Sequence, residues 1–244
     1  MVFERNAEID ARQITINESD LNRYITKVFG WTFLGLLTTA AMVIFFITGA
    51  VVIPGMAQFL ITALNYMLFI SIAQIVLVFF IARKIETLKP STAKLLYLLY
   101  SASMGILFTW VAIVYDLATI GLAFAITAVS FGTMAVYGLV TKKDLTKMGP
   151  MLFMGLIGLI IAIVANMFMN NSTLDLIICV AGLFIFLALT VYDTNRIKTF
   201  YAHSVDENGE ATALTENLAI LSALGLYLNF INIFLFILRL LSRD

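Results

Sequence analysis

The chain has 244 residues, of which 61% are hydrophobic and only 12% are charged. A soluble domain carries roughly 25% charged residues, so this composition excludes an ordinary soluble protein. The formal net charge is zero, which argues against a large nucleic-acid-binding surface.

The predicted elements begin with a polar arm at residues 1–24, which lacks the apolar core of a signal peptide. Apolar runs of about 20 residues follow, the length that a helix needs to cross a bilayer. They make one predicted transmembrane domain over residues 25–244. The strict alternation of a β-barrel is absent, so we predict an all-α polytopic membrane protein. The seven predicted spans are residues 28–53, 59–82, 95–115, 117–140, 150–169, 174–197 and 218–241.

Lysine and arginine residues concentrate at one end of this predicted bundle. All of the 15 except Arg239 and Arg243 lie in the polar arm, or at or near the loops on the same side. Basic residues mark the cytoplasmic side of membrane proteins, so we expect a multi-pass protein of the cell membrane with a cytoplasmic N-terminus. Seven spans place the C-terminus outside, and its two arginines are the one departure from the bias.

Small residues recur at helical spacing in two spans. Helices pack in lipid through such residues, so we expect close helix contacts at them. They are Gly155, Gly158, Ala162 and Ala165 in the fifth span, and Ala128 and Gly132 in the fourth.

The sixth span ends in "TVYDTNRIK", residues 190–198, and places Asp193 about one turn inside the membrane. A buried carboxylate is costly unless it is paired or neutralised. Arg196 is one candidate partner, and Arg83 or Lys84 at the end of the second span are others. Asp193 is therefore either half of an interfacial salt bridge or a group that senses protons or cations.

A polar stripe runs along the seventh span, formed by Ser222, Gly225, Asn229 and Asn232. Such a helix should lie inside the bundle and face a partner or a cavity. Asp193 and Asn229 fall within about 5–10 Å in depth at 1.5 Å per residue, so they can touch if the last two spans pack. The asparagines serve either as structural hydrogen-bonding residues or as part of an ion pathway.

The sequence carries no zinc-type histidine pair, phosphate-binding loop or nucleophile elbow. An intramembrane aspartyl protease needs two carboxylates that share a proton, whereas the seventh span has none. We therefore predict that the protein is not an enzyme and needs no cofactor.

The segments "VYDTNRIK" and "LYLNFINIFLFILRLL" resemble the Bax inhibitor family, also called the transmembrane Bax-inhibitor-motif family. The similarity runs from about residue 22 to the end. In order and spacing the segments look like the bacterial YccA-like branch, with "TKKDL" between the corresponding spans. The resemblance implies seven helices, with the seventh at the centre and the other six around it. It also implies a pH-sensitive calcium leak, in which calcium is the transported ion, and a bacterial inner-membrane location.

The resemblance further implies a pair of aspartates as the pH sensor, one in each of the last two helices. The first corresponds to Asp193, but the second position holds Asn229 in this chain. Asparagine carries no charge and can donate a hydrogen bond to Asp193, so the coupled titration of two carboxylates should be lost. With one carboxylate fewer, calcium should be held weakly, with Asp193 as the contact.

Two functions follow from these observations. The first is a pH-sensitive calcium leak channel or transporter, with Asp193 as the titrating group. The alternative is a non-conducting membrane protein that binds and modulates a membrane protease or a stress or cell-death pathway. The polar arm and the acidic loop at residues 203–210 suggest this alternative, because both would be accessible to protein partners at the cytoplasmic side.

Overall fold

The computed structural model describes residues 17–141, 143, 145, 147–206 and 208–243. Seven of the helices in these ranges are long and apolar enough to cross a membrane, which confirms the predicted all-α polytopic fold. The helices are α1 Glu18–Val52, α2 Met56–Asn65, α3 Met67–Lys84, α4 Pro90–Val114, α5 Leu117–Val140, α6 Met148–Met169, α7 Ser172–Ser204 and α8 Ala213–Leu241.

The second predicted span, residues 59–82, is interrupted. α2 ends at Asn65, and α3 begins at Met67 after Tyr66, whose φ of −100° and ψ of 15° leave the helical region. The N–H of Tyr66 is shared between the carbonyls of Thr62 and Ala63. The short apolar helix α2 therefore continues into α3 with a bend at Tyr66.

Polar residues cap several of the helices at their first turn. Asn17, Asp116, Asn171 and Thr212 each accept hydrogen bonds from backbone N–H groups that the helix leaves without partners. At Asp116, the hydroxyl of Thr119 and then its backbone N–H hold the pKa of the carboxyl below its usual value. The loops therefore end where the sequence supplies a side-chain acceptor.

The seventh span, α8, lies at the centre of the bundle, as the resemblance implied. Its most apolar window is 72% buried, against 33% or less for every other span in the described part of the chain. It packs directly against α1, α4, α5 and α7. The other two long helices lie mainly on its neighbours, since α3 packs mainly on α4, and α6 packs on α7.

Two helices extend past their predicted spans. α7 has 33 residues, or about 50 Å at 1.5 Å per residue, against a hydrocarbon layer of about 30 Å. Its extension is stable because Ile197, Tyr201 and Ser204 are buried at helical spacing. α1 begins at Glu18, so residues 18–24 of the predicted arm are helical, whereas residues 1–16 lie outside the described residues.

Ion pairs mark the two ends of the bundle. At one end, called the lysine end, Lys27 and Lys94 both contact Glu216 at the start of α8. At the other, called the arginine end, Arg239 and Arg243 both contact Asp175, at 2.6 and 3.1 Å. The helix ends alternate between these two ends as predicted, while the assignment of the lysine end to the cytoplasm stays a prediction.

Candidate functional site

The two polar residues singled out from the last two spans are in contact. Nδ2 of Asn229 on α8 donates a hydrogen bond to Oδ2 of Asp193 on α7, over 2.8 Å. Asn229 is buried and Asp193 is partly buried. The only carboxylate predicted inside a span is thus held against the polar stripe of the central helix.

Gly225 makes room for that carboxylate. A Cβ at this position would lie 3.4 Å from Oδ2 of Asp193 and 3.8 Å from its Cγ. Gly225 and Asn229 are one helical turn apart, so they face α7 together and form a shallow seat for the Asp193 side chain. The stripe predicted from the sequence therefore has two residues that touch the carboxylate.

Asn232, the last residue of the predicted stripe, does not join the site. Its Nδ2 donates to the carbonyl of Leu228, 2.8 Å away on the same helix, and the side chain is only partly buried. This intrahelical bond satisfies one of its N–H donors locally.

The predicted basic partners lie elsewhere. Arg196 is exposed, and its guanidinium carbon lies 5.2 Å from the ring centre of Tyr192 and 4.6 Å from that of Phe200. Stacking on aromatic rings is a favourable site for a guanidinium that still reaches water. Among the described residues no salt bridge reaches Asp193, so the predicted pairing with Arg196 is not formed.

Arg83 and Lys84 are likewise not partners of Asp193. Both are exposed at the end of α3, which packs on α4 at the edge of the bundle. The residue after α3 does reach α8, since Nδ2 of Asn217 donates to the carbonyl of Ile85 over 2.8 Å. That contact lies near the start of α8, about 18 Å along the helix from Asn229.

The family profile described as "Inhibitor of apoptosis-promoting Bax1" matches residues 21–244 of this chain. The chain belongs to the Bax inhibitor family. It is 36% identical over 223 residues to the inner membrane protein YbhL of Escherichia coli (strain K12), covering 91% of this chain and 92% of YbhL. An uncharacterized protein of Borreliella burgdorferi is 36% identical over 222 residues, with 91% and 92% covered. YrjE of Lactococcus lactis is 32% identical over 225 residues, with 90% of each chain covered.

In this Bax inhibitor family member, the "TNRIK" end of α7 also ties α7 to α5. Nζ of Lys198 donates to the carbonyl of Leu139 over 2.6 Å, and Nδ2 of Asn195 donates to that of Gly138 over 3.3 Å. Both carbonyls belong to the last turn of α5, where helices leave acceptors without partners. This contact was not predicted from the sequence, although a lysine and an amide that face a helix C-terminus are a usual capping arrangement.

The family resemblance placed a calcium contact at Asp193. In the described part of the chain, no three or more histidine, cysteine, aspartate or glutamate residues cluster at any point. Calcium takes about 6–8 oxygen ligands, and this site offers one carboxylate and the amide oxygen of Asn229. These two groups supply fewer oxygen ligands than a calcium ion takes.

Proposed function

We propose that this protein is a pH-sensitive calcium leak channel or transporter of a bacterial inner membrane, with Asp193 as its titrating group. The observation that carries the proposal is the Asp193 carboxylate held against the polar face of the central, most buried helix. A charge is costly inside a bilayer, and groups retained there usually serve ion or proton movement. The relation to an inner membrane protein and the seven spans support the location.

The chemistry follows from the two protonation states of one carboxylate. The ionised form attracts a cation into the polar stripe, whereas the protonated form is neutral and can donate a hydrogen bond itself. Asn229 keeps Asp193 oriented in either state because an amide both donates and accepts. Calcium movement should therefore depend on pH through a single proton.

The test is calcium flux into proteoliposomes that contain a fluorescent calcium indicator, measured from acidic to neutral pH. We expect flux above that of empty liposomes, and we expect Asp193→Asn to flatten its dependence on pH. Glu86→Gln is the matched control, because it neutralises an exposed carboxylate between α3 and α4. Flux no greater than in empty liposomes, alongside an active family member, would reject the proposal.

The alternative is a non-conducting regulator of a membrane protease or a stress pathway. One observation favours it: the described residues of the acidic segment before α8 form a turn. Oδ1 of Asp206 accepts from the N–H groups of Asn208 and Glu210, and a bridge joins Val205 to Ala211. The exposed Asn208 and Glu210 offer a fixed surface to a protein partner. Crosslinking in native membranes, compared with an Asp206→Ala variant, would recover a partner that depends on this turn.

A further inference from the structure

A cleft of about 460 Å³ opens at the lysine end of the bundle. It lies between the first turns of α1, the extension of α7, the turn before α8 and the start of α8. Three carboxylates and two basic residues line it within the described part of the chain. They are Asp20, Glu210, Glu216, Arg23 and Lys27.

Aromatic rings line the same cleft. Tyr24 and Tyr201 both line it, and their ring centres are 5.1 Å apart. Tyr24 is only 4% exposed, because its ring is wedged between α1, α7 and α8. The cleft therefore narrows to an aromatic contact where it approaches the core of the bundle.

Behind the Tyr24 ring, two buried hydroxyls lie close together without a well-formed hydrogen bond. The hydroxyl of Tyr24 lies near that of Ser222 on α8, but the two do not reach hydrogen-bond geometry, and within the described part of the chain neither has another partner. Nine-tenths or more of each side chain is buried. A buried hydroxyl that makes no hydrogen bond costs about 1–3 kcal/mol, so such groups usually mark the place of a water molecule or a ligand.

Ser222 connects this point to the Asp193 site. It precedes Gly225 by about one helical turn, or about 4.5 Å along α8. Gly225 lies directly against the Asp193 carboxylate, which Asn229 also holds. The cleft, the two hydroxyls and the carboxylate thus follow one another along a single face of α8.

We propose that this cleft is the entrance through which water and cations from the lysine end reach Asp193, and that the Tyr24 ring is the gate across it. This inference rests on the proposed function, because the entrance is the route by which cations would reach the titrating group Asp193. In the structure the gate is closed, as the burial of Ser222 shows. Arg23 and Lys27 pair with Asp20 and Glu216, so three carboxylates against two basic residues leave the rim acidic by one charge, which suits a cation. The hydroxyls can replace part of its water shell.

The test measures access to Ser222 directly, in a background in which the buried Cys179 is replaced by serine. Ser222→Cys is treated with a membrane-impermeant cationic thiosulfonate in vesicles of each orientation. Glu86→Cys, in an exposed segment at the lysine end, identifies the vesicles that present that end. We expect Ser222→Cys to be modified only in those vesicles, and faster by the cationic reagent than by an anionic one of equal size.

The Tyr24 ring is tested in the same assay. Tyr24→Ala should speed modification of Ser222→Cys by about tenfold or more, whereas Tyr24→Phe, which keeps the ring, should change it by less than about threefold. Leu224→Cys is the matched control, because it is fully buried on the opposite face of α8. It should stay unmodified with Tyr24→Ala, which also shows that the bundle is intact.

Three outcomes would reject the entrance. The first is modification of Ser222→Cys from the arginine end, and the second is equally fast modification by the cationic and anionic reagents. The third is that Tyr24→Ala does not speed modification of Ser222→Cys while Leu224→Cys stays unmodified. The readout is independent of calcium flux. Labelling in the expected pattern without calcium flux would therefore reject the proposed function but support the entrance. Calcium flux without labelling of Ser222→Cys would support the proposed function but reject the entrance.

Discussion

Asn229 donates a hydrogen bond to Asp193 across the contact between α7 and α8, over 2.8 Å. The family resemblance assigns an aspartate pair to these two positions, and this chain holds one acid and one amide. A donor and an acceptor attract where two carboxylates would repel. In this chain the last two helices are therefore joined here by a hydrogen bond between an amide and a carboxyl group, which needs no shared proton.

Asn229→Asp should make the stability of the bundle strongly dependent on pH. Two ionised carboxylates at about 4 Å repel by up to ~4 kcal/mol at an effective dielectric constant of about 20. This repulsion is present at alkaline pH and is lost once one group binds a proton. The melting temperature in detergent should therefore fall as pH rises, more steeply than for the unaltered chain.

The double variant Asp193→Asn, Asn229→Asp is the control for this change. It exchanges acid and amide across the same contact and so restores one carboxylate and one donor. Its pH profile should return toward that of the unaltered protein. If the single and double variants show the same profile, the contact between these two residues does not set the pH dependence.

Gly138→Ala should separate α5 from α7. A Cβ on Gly138 would lie 2.6 Å from the carbonyl oxygen of Val191 and 3.0 Å from Cβ of Thr194, and backbone cannot yield as a flexible side chain does. Overpacking of this kind costs about 1–3 kcal/mol. Thermal unfolding in detergent measures the loss.

Gly132→Ala, on the same helix, is the matched control. No atom of the described residues lies within 4 Å of a Cβ built at Gly132, apart from its own helix and chain neighbours. Replacing glycine by alanine in a helix then gains up to ~1 kcal/mol, so this variant should be neutral or more stable. Equal losses for the two variants would mean that helix propensity, and not the contact with α7, decides the outcome.

These glycines show what the sequence could and could not predict. The spans follow from the length and composition of apolar runs, and a bilayer fixes that length. Which glycine lies at a close contact depends on how each helix is rotated in the bundle. Gly132 and Gly158, expected at contacts, face open space, whereas Gly138 and Gly182, which were not singled out, have neighbours closer than a Cβ allows.

The candidate site was likewise predictable from the sequence only in part. Asp193 and Asn229 were predictable because their spans follow each other in the chain, run antiparallel and place both residues at similar depth. The basic partners were not predictable, because the rotation of each helix decides which way its side chains face. Arg83 and Lys84 are exposed although the end of α3 reaches the start of α8, and Arg196 stacks on aromatic rings of its own helix.

Glu216→Gln should lower the free energy of unfolding by removing an ion-pair partner at the lysine end of the bundle. Glu216 is the common partner of Lys27 and Lys94, and side-chain exposures of 28%, 37% and 34% leave these groups partly screened by water. Loss of the carboxylate leaves two lysines facing each other, so we expect a cost of about 1–2 kcal/mol in unfolding free energy. Thermal unfolding at low and high salt measures it.

Asp20→Asn gives the comparison for Glu216→Gln. The Arg23–Asp20 pair lies on one helix at 3.3 Å, with exposures of 82% and 40%. Exposed pairs within a helix contribute about 0.5 kcal/mol or less, so this variant should unfold almost as the unaltered chain does. A loss as large as that of Glu216→Gln would show that general surface charge, and not the bridge between helices, stabilises this end.

If the lysine end faces the cytoplasm, as predicted, Arg239 and Arg243 lie at the outer side of the membrane. Asp175 contacts both Arg239 and Arg243, so one carboxylate offsets part of their charge at the arginine end. Alkaline phosphatase, which is active only outside the cytoplasm, should be active when fused at the C-terminus and inactive when fused after Asp206. An active fusion after Asp206 would instead place the lysine end outside.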